Sequence, residues 1–298
     1  MHSAPSTQHS ALKGVFVTAT DTGVGKTFVS ALLIRALRKK GVDAGYFKPV
    51  ATGGIREQGI GDGEVGESAS RRVSESRSLG VLESRSLGVR KTRELSNSGT
   101  HELMSARYER RATRDGIISE DVLFVERLTG LGFDRHFVNP VCYQAPVSPM
   151  TAARLEGKSV PLNPIWTALA MLRRRHEFLV VEGVGGAAVP LRENYLISDL
   201  AKAVGFPAVV VARRGLGTLN HTMLTLEHLE TKGIPVAGVI LVQSSPEADL
   251  SVRTNARDIA RLGRIPVLGV LPWSKCLDGA ALDRLEARLD IGRLFGSR

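Results

Sequence analysis

The clearest chemistry in the chain stands near its start, in ATDTGVGKT, residues 19–27. The spacing is that of a phosphate loop, GxxxxGK followed by Ser or Thr, with Ala19 in place of the first glycine. Gly23 and Gly25 let the backbone turn its N–H groups inward, and a helix starting at Lys26 adds the positive end of its dipole. The Lys26 ammonium suits β- and γ-phosphate oxygens, and the Thr27 hydroxyl suits the magnesium ion carried with them. A second lysine, Lys48, closes the apolar run AGYF (44–47) and is followed at once by Pro49. A cation at the mouth of a buried strand faces an anion. Glu182 ends another apolar run and is followed by GVGG (183–186), which places a carboxylate at a strand end, a natural magnesium ligand beside a phosphate loop. Asp121, in SEDVLFVER (119–127), begins a helical pattern and reads either as a third magnesium ligand or as an ordinary helix-start acid.

These residues are far apart in sequence and need a frame that collects them at one edge. Six short apolar runs read as buried parallel strands: GVFVTA (14–19), AGYF (44–47), EFLVVE (177–182), PAVVVA (207–212), VAGVILV (236–242) and IPVLGVL (265–271). Amphipathic stretches at 26–41 and 219–233 each end in a glycine, the pattern of helices between strands. The alternation predicts an α/β fold of the P-loop NTPase type. Its three layers are a mostly parallel central sheet flanked by helices, in a single domain spanning 1–298. One span breaks the alternation. Residues 55–115 are rich in Ser, Arg, Glu and Gly and repeat ESRSLGV at 75–81 and 83–89. Their few apolar residues cannot offset the entropy of ordering, so they are expected to form a disordered insert. The insert holds 12 Lys/Arg against 10 Asp/Glu, which argues against a polybasic arm.

Composition narrows the class. Of 298 residues 43% are hydrophobic and 23% charged, which is ordinary for a soluble globular chain. A net charge of +10 and a pI near 10.0 favour acidic partners, whether nucleic acid or small polyanions. Aromatic residues are only 5% and do not interleave with a basic stripe, so no nucleic-acid partner is expected. The two cysteines, Cys142 and Cys276, form no CxxC pattern and fit a reducing compartment. The polar start MHSAPSTQHSALK lacks an apolar signal region, and no apolar run is long enough to span a bilayer. A cytoplasmic protein with no membrane partner is the expectation.

Seven stretches together resemble the dethiobiotin synthetase family, in that family's order: TATDTGVGKT (18–27), YFKPVATGG (46–54), SEDVLFVERL (119–128), APVSPMTAARLEG (145–157), VVEGVGGAAVPL (180–191), GLGTLNHTMLT (215–225) and GVLPW (269–273). The resemblance covers nearly all of the chain outside the first dozen residues and the insert. The phosphate loop is common to many NTPases, whereas the Lys-Pro-Val, Glu-Gly-Val-Gly-Gly and Leu-Asn-His segments are far more specific. The resemblance implies ATP-dependent closure of a cyclic urea. One amine of 7,8-diaminopelargonate carries CO2 as a carbamate, the carbamate attacks the γ-phosphate, and the second amine displaces phosphate from the carbamic–phosphoric anhydride to give dethiobiotin. It implies catalytic roles for Lys26 and Lys48, magnesium held by Thr27, Asp121 and Glu182, and ATP as co-substrate. It also implies nucleotide contacts from Gly23, Val24, Gly25, Lys26, Thr27 and Phe28, and from Glu182, Gly183, Val184 and Gly185. Thr52 takes the place of a substrate-contacting hydroxyl. Gly217, Leu219 and Asn220 belong to a segment whose backbone receives the substrate's distal carboxylate, supplied in the family by the neighbouring subunit of a homodimer with shared active sites.

The chain also departs from the family. Val242 stands where an asparagine usually reads adenine, so relaxed base selectivity is expected, with Gln243 and the groups about Pro272 and Trp273 left to read the base. Met150 stands where a histidine is common, and the insert falls between Lys48 and Asp121. His221 invites a catalytic role, but no carboxylate–nucleophile partner is apparent, so a packed or capping histidine is expected. Two other functions are weaker fits. A related P-loop amidoligase would carry a glutaminase domain with a nucleophilic cysteine, and neither Cys142 nor Cys276 lies in such a motif. A partitioning-type ATPase switch suits the basic pI, but the tail RLEARLDIGRLFGSR is short and mixed in charge rather than an amphipathic anchor.

Overall fold

The sheet forms because six segments are apolar on both faces, and each takes its place between helices. A computed structural model describes residues 14–56, 116–247 and 249–294. β1 (Gly14–Ala19) runs through the phosphate loop into α1 (Lys26–Lys39). Then come β2 (Ala44–Phe47), β3 (Val50–Thr52), β4 (Ile55–Arg56), β5 (Ile117–Ile118), α2 (Glu120–Thr129), α3 (Arg135–Val138), β6 (Val141–Tyr143), α4 (Pro149–Leu155) and α5 (Asn163–Arg175). The second half holds β7 (Phe178–Glu182), β8 (Pro190–Arg192), β9 (Tyr195–Leu196), α6 (Ile197–Val204), β10 (Ala208–Arg213), α7 (Thr218–Thr231), β11 (Val236–Val242), α8 (Asn255–Leu262), β12 (Val267–Leu271) and α9 (Gly279–Glu286). The six apolar runs become one sheet in the order β12-β11-β10-β1-β7-β2, and all five neighbouring pairs are parallel. Boundaries differ from the sequence reading by a residue or two: β7 starts at Phe178 and β10 runs on to Arg213.

Alternation along β1 divides the core. Val15, Val17 and Ala19 join the cluster under α1, α2 and α9, while Phe16 joins the cluster under α5, α6, α7 and α8. With β2 and β7 on one side of β1 and β10 to β12 on the other, the connections diverge and leave a crevice at the carboxyl ends of the strands. α1 is pinned from both sides. Arg35 donates to the Leu128 carbonyl at the end of α2 and pairs with Asp283 and the buried Glu286 on α9.

Two residues depart from the expectation of an insert over 55–115. Ile55 and Arg56 form an antiparallel ladder with Ile118 and Ile117. Gly54 lets that ladder approach β6, since a Cβ there would fall 2.5 Å from the Cys142 sulfur. The remainder of the span, 57–115, lies outside the described residues.

Candidate active site

The phosphate loop leaves the carboxyl end of β1 and turns into α1 at Gly25, whose φ of 98° is a left-handed conformation. A side chain there would also meet Val242, 3.1 Å from its Cγ1. Lys26 is the first residue of α1, and its ammonium donates to the Asp21 carbonyl at 3.2 Å, within its own loop. Burial, and then the neighbouring Lys48 charge, lower its pKa to about 8. Asp21 itself is paired with Arg213 at the end of β10.

The register of the sheet brings the other elements to this point. Val17 of β1 lies opposite Glu182 of β7, and Phe47 of β2 lies opposite Val181, so Glu182 and Lys48 emerge side by side. The Lys48 ammonium, 1% exposed, lies 2.7 Å from Glu182 Oε1 and 2.7 Å from Asp121 Oδ2. Its backbone is clamped as well: its N–H donates to the Val138 carbonyl, and its carbonyl accepts from the buried Asn139 amide at 2.7 Å. Burial works against the ammonium, but Asp121 and Glu182 outweigh it and hold its pKa above the ordinary lysine range. For Asp121, burial likewise opposes the charge, and the Lys48 ammonium overcomes it and keeps the carboxyl below its usual range. The Thr27 hydroxyl lies 2.8 Å from both Asp121 Oδ1 and Glu182 Oε1 and donates to one of them at a time. Asp121 occupies the first turn of α2, so the helix-start acid and the site carboxylate are the same residue.

Thr27, Lys48, Asp121 and Glu182 are thus joined directly, with Lys26 at the adjoining loop. Gly183 follows, its carbonyl 3.3 Å from the Lys48 ammonium, and Gly185 turns the chain with φ of 64° beside the half-buried Val184. The Val24 side chain is buried in the core, which leaves only its backbone to face the loop. Phe28, Val242, Gln243 and Pro272 line a cavity of about 550 Å3 together with Arg127 and Lys275. Two details bear on the base-reading expectation there. Both polar ends of Gln243 are engaged, its oxygen by Arg214 and its nitrogen by the Ser245 carbonyl, each at 3.1 Å. Trp273 is not among the residues lining the cavity.

Gly217, Leu219 and Asn220 stand elsewhere, at the start of α7. Gly217 has φ of 88°, Leu216 is 83% exposed, and the Asn220 side chain faces outward. Among the described residues no hydrogen bond or ion pair joins this turn to Lys48, Asp121 or Glu182. It is held from beneath. Asn255 donates to the Arg214 and Gly215 carbonyls at 2.8 and 3.0 Å, and the Leu216 N–H donates to Asp249. Thr52 ends β3, half-buried, opposite Tyr143 of β6. His221 is exposed on the first turn of α7, neither packed nor capping through its side chain.

Known proteins match this chain across most of their length. A family model described as an AAA domain matches residues 13–71 and 101–281. The ATP-dependent dethiobiotin synthetase BioD of Anaeromyxobacter dehalogenans is 37% identical over 262 residues, covering 88% of this chain and 91% of that protein. The protein of the same name from Bacillus velezensis is 33% identical, covering 88% and 87%, and that of Methanococcus vannielii 31%, covering 86% and 92%. The chain belongs to the dethiobiotin synthetase family.

In this dethiobiotin synthetase family member, sequence reasoning passed over Tyr46 and Asn139. Tyr46 is 1% exposed, and its hydroxyl donates to Glu182 Oε2 at 2.9 Å. Burial, reinforced by Glu182 and Asp121, raises its pKa well above 10, so the phenol stays protonated and acts as a donor. In sequence it reads as one more core aromatic. The available signal was its offset of two from Lys48, which puts both side chains on one side of an extended chain.

Proposed function

We propose that the chain catalyses ATP-dependent dethiobiotin synthesis from 7,8-diaminopelargonate and CO2, releasing ADP and phosphate. The observation that carries the reading is the buried Lys48 ammonium, held by two carboxylates against Thr27 of a phosphate loop, in a chain of this family. Carbamate and triphosphate are both anions and repel, so the transfer needs cations placed between them. Lys26 holds the β- and γ-phosphates. Lys48 faces the carbamate oxygen that attacks the γ-phosphorus and takes up part of the charge that spreads over the transferring group. The second amine then attacks the carbamoyl carbon, the urea ring closes, and phosphate leaves with the acyl oxygen.

Magnesium suits the same junction, because Asp121 Oδ1 and Glu182 Oε1 each lie 2.8 Å from Thr27 Oγ1, and all three are hard oxygens. Bound there, it would supply positive charge to the phosphate oxygens. Gly23 to Phe28 and Glu182 to Gly185 contact nucleotide, with the base in the cavity beside Phe28 and Pro272. Thr52 contacts the diamine. Gly217, Leu219 and Asn220 offer the free N–H groups of a helix start to the distal carboxylate, reaching the site of a second subunit in a homodimer. No helix among the described residues is long and apolar enough to cross a membrane. The deciding assay follows phosphate release with each component omitted in turn. Release that needs both diamine and bicarbonate supports the synthetase, whereas equal release without the diamine is the behaviour of a switch ATPase and sinks it.

A further inference from the structure

Glu182 has two oxygens with different surroundings. Oε1 receives the Lys48 ammonium at 2.7 Å and the Thr27 hydroxyl at 2.8 Å, so it faces the reacting groups. Among the described residues Oε2 receives only the Tyr46 hydroxyl, at 2.9 Å. Glu182 is fully buried, so Oε2 is cut off from bulk solvent. The phenol is in turn held on three sides. Tyr46 is a residue of β2 in register with Val180 of β7, its ring lies 5.8 Å from that of Phe133, and it is 1% exposed. A ring with two torsions, fixed by a sheet and by packing, therefore sets the plane of a side chain that has three.

We infer that Tyr46 is a positioning residue: its hydroxyl anchors Oε2 of Glu182 and so aims Oε1 at the point where Thr27 and Asp121 converge. The inference rests on the reading of Glu182 as a metal-facing carboxylate. Without the hydroxyl, Oε2 is a buried acceptor with no donor. The carboxylate then turns to share Lys48 and Thr27 between both oxygens, and the metal-facing geometry is lost.

The test uses the full chain with Mn2+ as the probe, titrated in the presence of ADP and read by the free-ion electron paramagnetic resonance signal. Tyr46→Phe keeps the ring and removes one oxygen. It should raise the Mn2+ dissociation constant about tenfold or more. At saturating metal kcat should recover most of its value, and KM for the diamine should not move. Mn2+ affinity equal to wild type in Tyr46→Phe, with Glu182→Gln much weaker, overturns the role of Tyr46 alone. Both variants equal to wild type overturn the reading of Glu182, and the inference with it. Adding Tyr46→Phe to Glu182→Gln removes the buried carboxylate charge along with its donor, and a thermal melt of each variant checks that the fold is kept. In that background the tyrosine change should alter Mn2+ affinity by less than about twofold, and a further tenfold loss would show that Tyr46 acts by some route other than Glu182.

Discussion

The phosphate end of the site and the turn before α7 are built in opposite ways. At the phosphate end, Lys48 and Glu182 are buried, and Lys48 meets the counter-charges of Glu182 and Asp121 in the same chain. At the α7 turn, Leu216 and Asn220 face outward, and the side chains of Asp249 and Asn255 support the backbone from below. A buried network must be completed by its own chain, because an unpaired charge in the core is costly. An exposed helix start carries no such demand and can be completed by something else; in the function proposed above, that is the carboxylate end of a substrate held in another subunit.

The comparison breaks most sharply at Lys48. Lys48→Ala should lower kcat by about 100-fold or more while nucleotide binding survives, whereas Lys26→Ala should lose nucleotide binding as well. The Lys48 change also leaves Glu182 and Asp121 facing each other unpaired, a loss of about 3–5 kcal/mol that thermal unfolding would register. A Lys48→Ala protein with near-normal kcat would remove Lys48 from the chemistry. A second test addresses the exposed end. Lys48→Ala and Gly217→Glu, each inactive, are co-refolded in equal amounts. About half of the dimers are then mixed, and each holds one undamaged site, so activity should return to about a quarter of wild type. A mixture as inactive as its parents, despite proven subunit exchange, would put the α7 turn and Lys48 in one chain's site.

The base cavity lies between these extremes. The Val242 side chain has no hydrogen-bonding atom and Gln243 is already engaged at both ends, so CTP or GTP should support turnover within about tenfold of ATP. Strict dependence on ATP would assign base reading to backbone groups near Pro272. The smallest effect expected is on pH. The fold lowers the Lys26 pKa from 10.5 to about 8, so between those values the unfolded chain binds the additional proton and this group's contribution to stability rises with pH. Phosphate binding favours the ammonium and therefore runs the other way. Nucleotide affinity should decline above about pH 8, by at most tenfold per unit, with proton uptake on binding measurable by calorimetry in buffers of different ionisation heat. Affinity that stays flat from pH 7 to 9.5 would separate Lys26 from the phosphates.

Much of this was legible before any fold was known, and the reason is local. Chemistry tied to a turn or a strand end shows in the residues that make the turn: Gly25 ahead of Lys26, Pro49 after Lys48, Gly183 after Glu182. Apolar runs of four to seven residues announce buried strands because only a sheet covered on both faces hides them. Thus the α/β class, the phosphate loop, and Lys48 and Glu182 at strand ends all came from the chain itself. Base selectivity was legible only in part: Val242 announced a missing donor, but nothing in the string told that Arg214 engages Gln243.

What the tertiary structure decided is who meets whom. The helix-start acid Asp121 became a partner of Lys48 and Thr27 because α2 packs on α1, a contact between residues 94 apart that no local pattern encodes. Tyr46 was an aromatic like any other in an apolar run until the pairing of β2 with β7 set its hydroxyl against Glu182, 136 residues away. His221 passed from an expected packed residue to an exposed one for a similar reason, since burial on an amphipathic helix depends on which face the neighbouring elements cover. Side-chain type and spacing are properties of the string. Register and packing are properties of the whole, fixed by the free energy of closing two cores around one sheet, and the site takes its geometry from them.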